Sequence, residues 1–209
     1  MTPNALAAYR SRFPDLVRVA ARLEQLLREY LAGVPRIDQV GARAKDPLRF
    51  TEKARRTIDG EPKYASPLEQ IQDQMGARVV VYYTSDVTAV AEVVERYFHH
   101  IERQDVVPDS EREFGYFGRH WIFALPLDAV PADVDDGSIP RFFELQVKTL
   151  FQHAWSEASH DLDYKGPDTI TMMQERKFAF TAAQAWGADL LFGELHRDLR
   201  NDPDDSGEA

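Results

Sequence analysis

The 209-residue chain has no cysteine, which removes disulfides and thiolate-bound metal from consideration. No apolar run reaches the roughly 20 residues of a membrane-spanning helix, and no basic-then-apolar leader opens the chain. The expectation is a cytoplasmic protein, neither exported nor anchored, with no membrane partner. Positive charge is in short supply: 25 Lys and Arg face 35 Asp and Glu, a net charge of −10. That deficit argues against a broad, non-specific grip on a nucleic-acid backbone, yet leaves room for a local phosphate site. With 44% hydrophobic and 29% charged residues, the length suits one packed catalytic domain with terminal extensions. No internal repeat is visible.

What the chain does have is concentrated in residues 141–165, RFFELQVKTLFQHAWSEASHDLDYK. Phe143, Leu145 and Val147 alternate with Glu144, Gln146 and Lys148, the two-residue period of a strand, so the three polar side chains project from one sheet face. From Thr149 the period turns helical through Leu150, Phe151, Ala154, Trp155, Ala158 and Leu162, with Thr149 placed to cap the helix. His153, Glu157, His160, Asp161 and Tyr164 gather on its other side. As a di-iron site these fail on count, because only one Glu-x-x-His pair is present. Zinc lacks both cysteine and an HExxH order.

Elsewhere, Leu16, Val19, Ala20, Leu23, Leu26, Leu27 and Tyr30 predict an amphipathic helix whose first turn holds Pro14, with Ala5–Arg12 a separate short helix. Residues 36–63 reverse the charge balance: eight basic against five acidic residues make the segment +3 while the remainder carries −13. Arg43 and Lys45 alternate on an expected strand, Ile37–Lys45, and Arg49, Lys53 and Arg56 share one face of a helix after Pro47. Such an island is a candidate anion site, as is a solvated basic face. Asp73 precedes an apolar run, Val79–Tyr83, that reads as a buried strand; an Asp at its mouth is well placed to hold a cation. Ser85 or Asp86 caps a helix to about His100, and residues 102–113 read as a polar loop. Residues 114–120, FGYFGRH, lead into a strand at Trp121–Leu125, followed by a hairpin-like loop to Ile139. Met172–Leu199 is a long helix with Phe178, Trp186, Leu190, Leu191 and Leu195 as its apolar face, which packs on the domain or another subunit. An acidic tail, 201–209, completes the chain.

Glu144, Gln146, Thr149, Trp155, Glu157, His160, Tyr164 and Lys165 together resemble the signature of the synthetase domain of the RelA/SpoT alarmone synthetases. Three further motifs appear upstream in the family's order: Arg43-x-Lys45 with Lys53, Asp73-x-x-Gly76-x-Arg78, and Gly115-Tyr116 with His120. The resemblance covers about Gly41–Lys165 and implies an α+β fold, a nucleotidyltransferase-like mixed β-sheet flanked by helices. The expected organisation is an N-terminal helical extension (1–35), the synthetase domain (36–166), C-terminal helices (167–200) and the tail.

The implied reaction moves the β,γ-pyrophosphoryl group of ATP to the 3′-hydroxyl of GDP or GTP, releasing AMP. By the same resemblance, Arg43, Lys45, Lys53, Arg56 and Arg78 bind ATP, and Asp73 and Glu144 hold Mg²⁺. Glu144 also activates the hydroxyl, and Tyr116 stacks on the acceptor base, with His120, Gln146 and Arg112 beside it. His160 and Lys148 give support. Gly118 stands at the family's Ser position, and Glu113 and Phe114 replace its Lys and Asn. This altered loop leaves tRNA or an adenosine nucleotide open as acceptor, the acidic charge weighing mildly against tRNA. A catalytically silent nucleotide-binding module is the other reading, against which two metal-facing carboxylates count.

Overall fold

The computed structural model describes residues 3–106, 114, 118–165 and 170–201. In chain order the elements are α1 (Pro3–Tyr30), β1 (Ile37–Ala44), α2 (Pro47–Ala54), β2 (Thr57–Ile58), β3 (Glu61–Pro62), α3 (Pro67–Gln70), β4 (Met75–Val81), α4 (Thr84–Tyr97), β5 (His100–Val106), β6 (Gly118–Ala124), β7 (Phe142–Thr149), α5 (Leu150–Lys165) and α6 (Met172–Asn201). Five strands form one mixed sheet in the order β1-β4-β7-β6-β5, with β4 and β7 parallel and the other pairs antiparallel. This is the expected α+β architecture.

Ala77, Val79, Val81, Trp121, Phe123, Phe143, Leu145 and Val147 are all buried, and α1 covers this side with Leu16, Val19, Leu23 and Leu27. Fully burying each such side chain contributes about 1.5–3 kcal/mol. The pleat sends the intervening residues to the opposite side, where two rows cross the sheet in register. One row runs Arg43, Gly76, Glu144, Ile122 and Glu102; the next runs Gly41, Arg78, Gln146, His120 and Gln104. These two rows gather Arg43, Arg78, Glu102, Gln104, His120, Glu144 and Gln146 on one face.

Local signals explain the boundaries. Asp46 accepts hydrogen bonds from the Leu48 and Arg49 amides and so starts α2 behind Pro47. Thr149 and Gln152 cap α5 reciprocally: the Gln152 amide donates to Thr149 Oγ1 and the Thr149 amide to Gln152 Oε1. Asp59 and Gly60, both at positive φ, turn β2 into β3.

Several expectations need correcting. Residues 5–12 are not a separate helix: α1 runs unbroken through Pro14. The interior proline loses a backbone hydrogen bond, but Tyr9, stacked on Phe50 at 3.9 Å, ties the first turns to the core. Helix α4 begins at Thr84, with Asp86 three residues inside, where its carboxylate accepts the Tyr83 amide and pairs with Arg36. It ends at Tyr97, and His100–Val106 is a strand where a helix end and a loop were expected. On α6 the inward residues are Ala182 and Asp189, while Trp186, Leu190, Leu191 and Leu195 stay largely exposed.

Candidate active site

Where the two polar rows meet the turn before β4, a cleft of about 380 Å³ opens, walled by Lys53, Lys63, Tyr64, Asp73, Glu102, Gln104, His120 and Glu144 among others. Its volume is in the range of small-molecule sites. Asp73 sits in a single 3-10 turn, Gln72–Gln74, immediately before β4. Lys45 follows β1, and its backbone is pinned on both sides: its amide donates to the Gln74 carbonyl and its carbonyl accepts from the Tyr9 hydroxyl. That fixes Lys45 opposite the turn, and α2 brings Lys53 to the same point. Both ammonium groups contact Asp73 Oδ2, at 2.9 and 2.8 Å. Burial alone would raise the Asp73 pKa, but the two lysines more than reverse it and hold the carboxyl below its ordinary value. Asp73 Oδ1 is buried and has no hydrogen-bond partner among the described residues.

Across the cleft, Glu144 Oε1 contacts His120 Nδ1 at 3.0 Å and accepts a hydrogen bond from Gln146 Nε2 at 3.1 Å. Burial again works against ionisation, and the His120 and Gln146 contacts overcome it, leaving the Glu144 pKa lowered. Both carboxylates are therefore ionised at neutral pH, and Glu144 feels the Asp73 charge.

Further along the strands on the same face, Arg78 Nη1 donates to Glu157 Oε1 at 2.6 Å and Lys148 Nζ to Ser156 Oγ at 3.1 Å. Lys148 is buried, which the strand alternation did not reveal. Burial, aided by Arg78 and Arg43 against Glu157 and Glu144, pushes its pKa down to about 8. A cationic bank of Arg43, Arg78 and Lys148 thus lies beside the Asp73–Glu144 cleft.

Residues 42–169 match the family model described as a region found in RelA/SpoT proteins. The chain belongs to the RelA/SpoT family. The GTP pyrophosphokinase YjbM of Bacillus subtilis is 28% identical over 165 residues, covering 77% of this chain and 72% of that protein. A GTP pyrophosphokinase family protein from Streptococcus pneumoniae shares the fold with a TM-score of 0.73 at 23% identity, over 95% of this chain and 96% of that one. The small alarmone synthetase 1 of Bacillus subtilis does so with a TM-score of 0.68 at 23% identity, over 94% and 96%. The matched RelA/SpoT region runs from β1 to beyond α5, whereas the structural likeness extends over α1 and α6 as well.

Within the RelA/SpoT region, the structure brings Lys45, Lys53, Asp73, His120, Glu144 and Gln146 to one cleft, with Arg43, Arg78 and Lys148 alongside. Arg56 differs from expectation: α2 ends at Ala54, so Arg56 lies beyond the helix, exposed, and off the face that carries Lys53. The cation in the cleft from that part of the chain is Lys63, whose amide donates to the Arg56 carbonyl. His160 is exposed on α5 and makes no hydrogen bond or ion pair with another described residue. Tyr116 and Arg112 lie outside the described residues.

Sequence reasoning counted Lys63 in the basic island without placing it in a site, and missed Tyr64, Glu102 and Gln104. The last two were hidden because β5 is an edge strand facing a polar cleft, so it carries little apolar alternation to betray it. Among the described residues no three His, Asp or Glu converge, but two ionised carboxylates, one with an unpartnered buried oxygen, fit Mg²⁺, which binds through one or two carboxylates plus phosphate oxygens. No helix among the described residues is long and apolar enough to cross a membrane.

Proposed function

We propose that this protein transfers the β,γ-pyrophosphoryl group of ATP to the 3′-hydroxyl of GDP or GTP, releasing AMP. The observation that carries this reading is one cleft in which an Asp73 carboxylate held by two lysines faces a Glu144 carboxylate held by His120 and Gln146. The 28%-identical relative is named a GTP pyrophosphokinase, and small alarmone synthetase 1 has been solved with pppGpp and with AMPCPP.

In the transfer, the acceptor's 3′ oxygen bonds to the β-phosphorus of ATP. The bond from that phosphorus to the α,β-bridging oxygen breaks, AMP departs with the oxygen, and the hydroxyl proton passes to Glu144. His120 and Gln146 aim the Glu144 oxygen, so the proton acceptor is oriented before substrate arrives. Lys45 and Lys53 exchange part of their contact with Asp73 for the donor's phosphates, and Arg43, Arg78 and Lys148 extend the cationic bank along the triphosphate. Asp73, through Oδ1, and Glu144 would hold Mg²⁺, which when bound neutralises phosphate charge. Tyr116 supplies a ring against the acceptor base, a contact worth about 1–3 kcal/mol in nucleic-acid sites.

The test is incubation of the pure protein with γ-labelled ATP and, separately, GDP, GTP, AMP, ATP and tRNA. Label should appear on GDP or GTP. Label on tRNA or an adenosine nucleotide instead would replace the acceptor, and binding of ATP with no labelled product would leave a nucleotide-binding module.

A further inference from the structure

Asp189, on α6, is buried, and only one of its oxygens is satisfied. Oδ2 accepts a hydrogen bond from Thr149 Oγ1 at 2.8 Å, whereas Oδ1 has no partner among the described residues. Asp189 lines a cavity of about 250 Å³ between α4, α5 and α6, together with Thr84, Gln152, Trp155, Trp186 and Leu190. This cavity shares no wall with the Asp73–Glu144 cleft. The influences on the Asp189 carboxyl among the described residues are burial, which pushes its pKa up to about 6, and the Thr149 hydroxyl; no cationic side chain acts on it. The group is a buried carboxylate beside two indoles with one oxygen left over.

A buried carboxylate without a countercharge is costly, and the face around this one supplies what an organic cation uses. Indole faces attract cations more strongly than other rings do, and a carboxylate oxygen accepts a charged N–H bond. An apolar occupant would satisfy the indoles and strand the oxygen; an anion would be repelled. We propose that the cavity between α5 and α6 is a binding site for a small organic cation bearing N–H groups, of the primary alkylammonium class, seated between Trp155 and Trp186 with its ammonium on Asp189 Oδ1. The volume of about 250 Å³ admits a short aliphatic amine.

The test titrates the full-length protein, without nucleotides, with n-butylammonium chloride and with the neutral isostere n-butanol, reading tryptophan fluorescence and calorimetric heat. Two of the three tryptophans wall the cavity and the third, Trp121, is in the core, so occupancy is optically visible. Butylammonium should saturate, and butanol should bind at least about tenfold more weakly, as expected from losing one charged hydrogen bond. Asp189→Asn keeps the shape and an acceptor for Thr149, and should abolish that preference. Trp186→Leu, at a half-exposed position, should weaken butylammonium in a folded protein and stands in if the Asn variant does not fold. Equal binding of the two probes, no saturable binding of butylammonium, or an undiminished preference in Asp189→Asn would overturn the site. So would self-association through this face that Trp186→Leu abolishes and butylammonium leaves untouched, which would make the cavity a subunit contact. None of these readouts depends on catalysis, so they stand apart from the fate of the transfer reaction.

Discussion

Replacing Asp73 by Asn separates two roles that the geometry gives to one side chain. In the ligand-free cleft Asp73 Oδ2 holds both Lys45 and Lys53, so any phosphate must compete with it for them. Each contact is a charged hydrogen bond of about 1.5–3 kcal/mol. The three side chains are 19%, 22% and 26% exposed, too little for solvent to screen much of that. Asn cannot hold two ammonium groups as a carboxylate does, so both lysines become available to a triphosphate, and one negative charge leaves the cleft. In EDTA, Asp73→Asn should therefore bind a non-hydrolysable ATP analogue more tightly than wild type, by about tenfold or more at 1.4 kcal/mol per decade. With Mg²⁺ present the order should reverse for turnover, which should fall by about 10²–10³ as a preorganised charge is lost. Calorimetry with the analogue in EDTA, beside steady-state rates in Mg²⁺, checks both halves. Weaker binding in EDTA, or near-wild-type turnover in Mg²⁺, would refute the assignment.

Three other perturbations follow from the same geometry. The Lys148 pKa of about 8 lies below the ordinary 10.5, so between those values the unfolded chain binds more protons and folding stability should rise with pH. Catalysis should move oppositely, with kcat/KM falling above about pH 8 as Lys148 loses its charge, and Lys148→Met should raise Tm while lowering activity; a flat alkaline limb would remove Lys148 from the donor bank. An added Cβ at Gly76 meets nothing within 4 Å, yet Gly76 lies in the row between Arg43 and Glu144. Gly76→Val should keep the wild-type melting temperature, helped by valine's strand preference, and lose most activity, a separation that fails if the variant turns over normally. Thr149→Val removes the α5 cap and the donor to Asp189, so urea denaturation should show a loss of about 1–3 kcal/mol.

The strand and helix that carry Glu144, Gln146 and Thr149 were legible because the period switches from two to helical at a residue that also caps. Lys45, Lys53 and Asp73 were legible as motif residues, but not as an ion triad: nothing in their spacing says that the Tyr9 hydroxyl and the Gln74 carbonyl clamp the backbone of Lys45. Lys148 read as one of three polar strand residues, and its burial comes from α5 folding back over the sheet end, a tertiary effect. Strand β5 stayed hidden because its residues face polar partners, and α1 was divided at Pro14 because local proline chemistry was weighed without the core contacts of Tyr9. On α6 the apolar stripe was read as packing on the domain or on another subunit; the residues it buries in this chain are Ala182 and Asp189, the latter hydrogen-bonded to Thr149 at the end of β7, while Trp186 and Leu191 stay largely exposed.

Whether Glu144 and Asp73 direct a pyrophosphoryl group to a 3′-hydroxyl can be read from where label goes. ATP labelled at the α- or the β-phosphorus is mixed in Mg²⁺ with GDP or with 3′-deoxy-GDP, and products are separated after a single turnover. The β label should move wholly to GDP, the α label should remain in AMP, and 3′-deoxy-GDP should gain nothing. Labelled 3′-deoxy-GDP, or a β label left on an adenosine nucleotide while GDP becomes modified, would contradict that transfer.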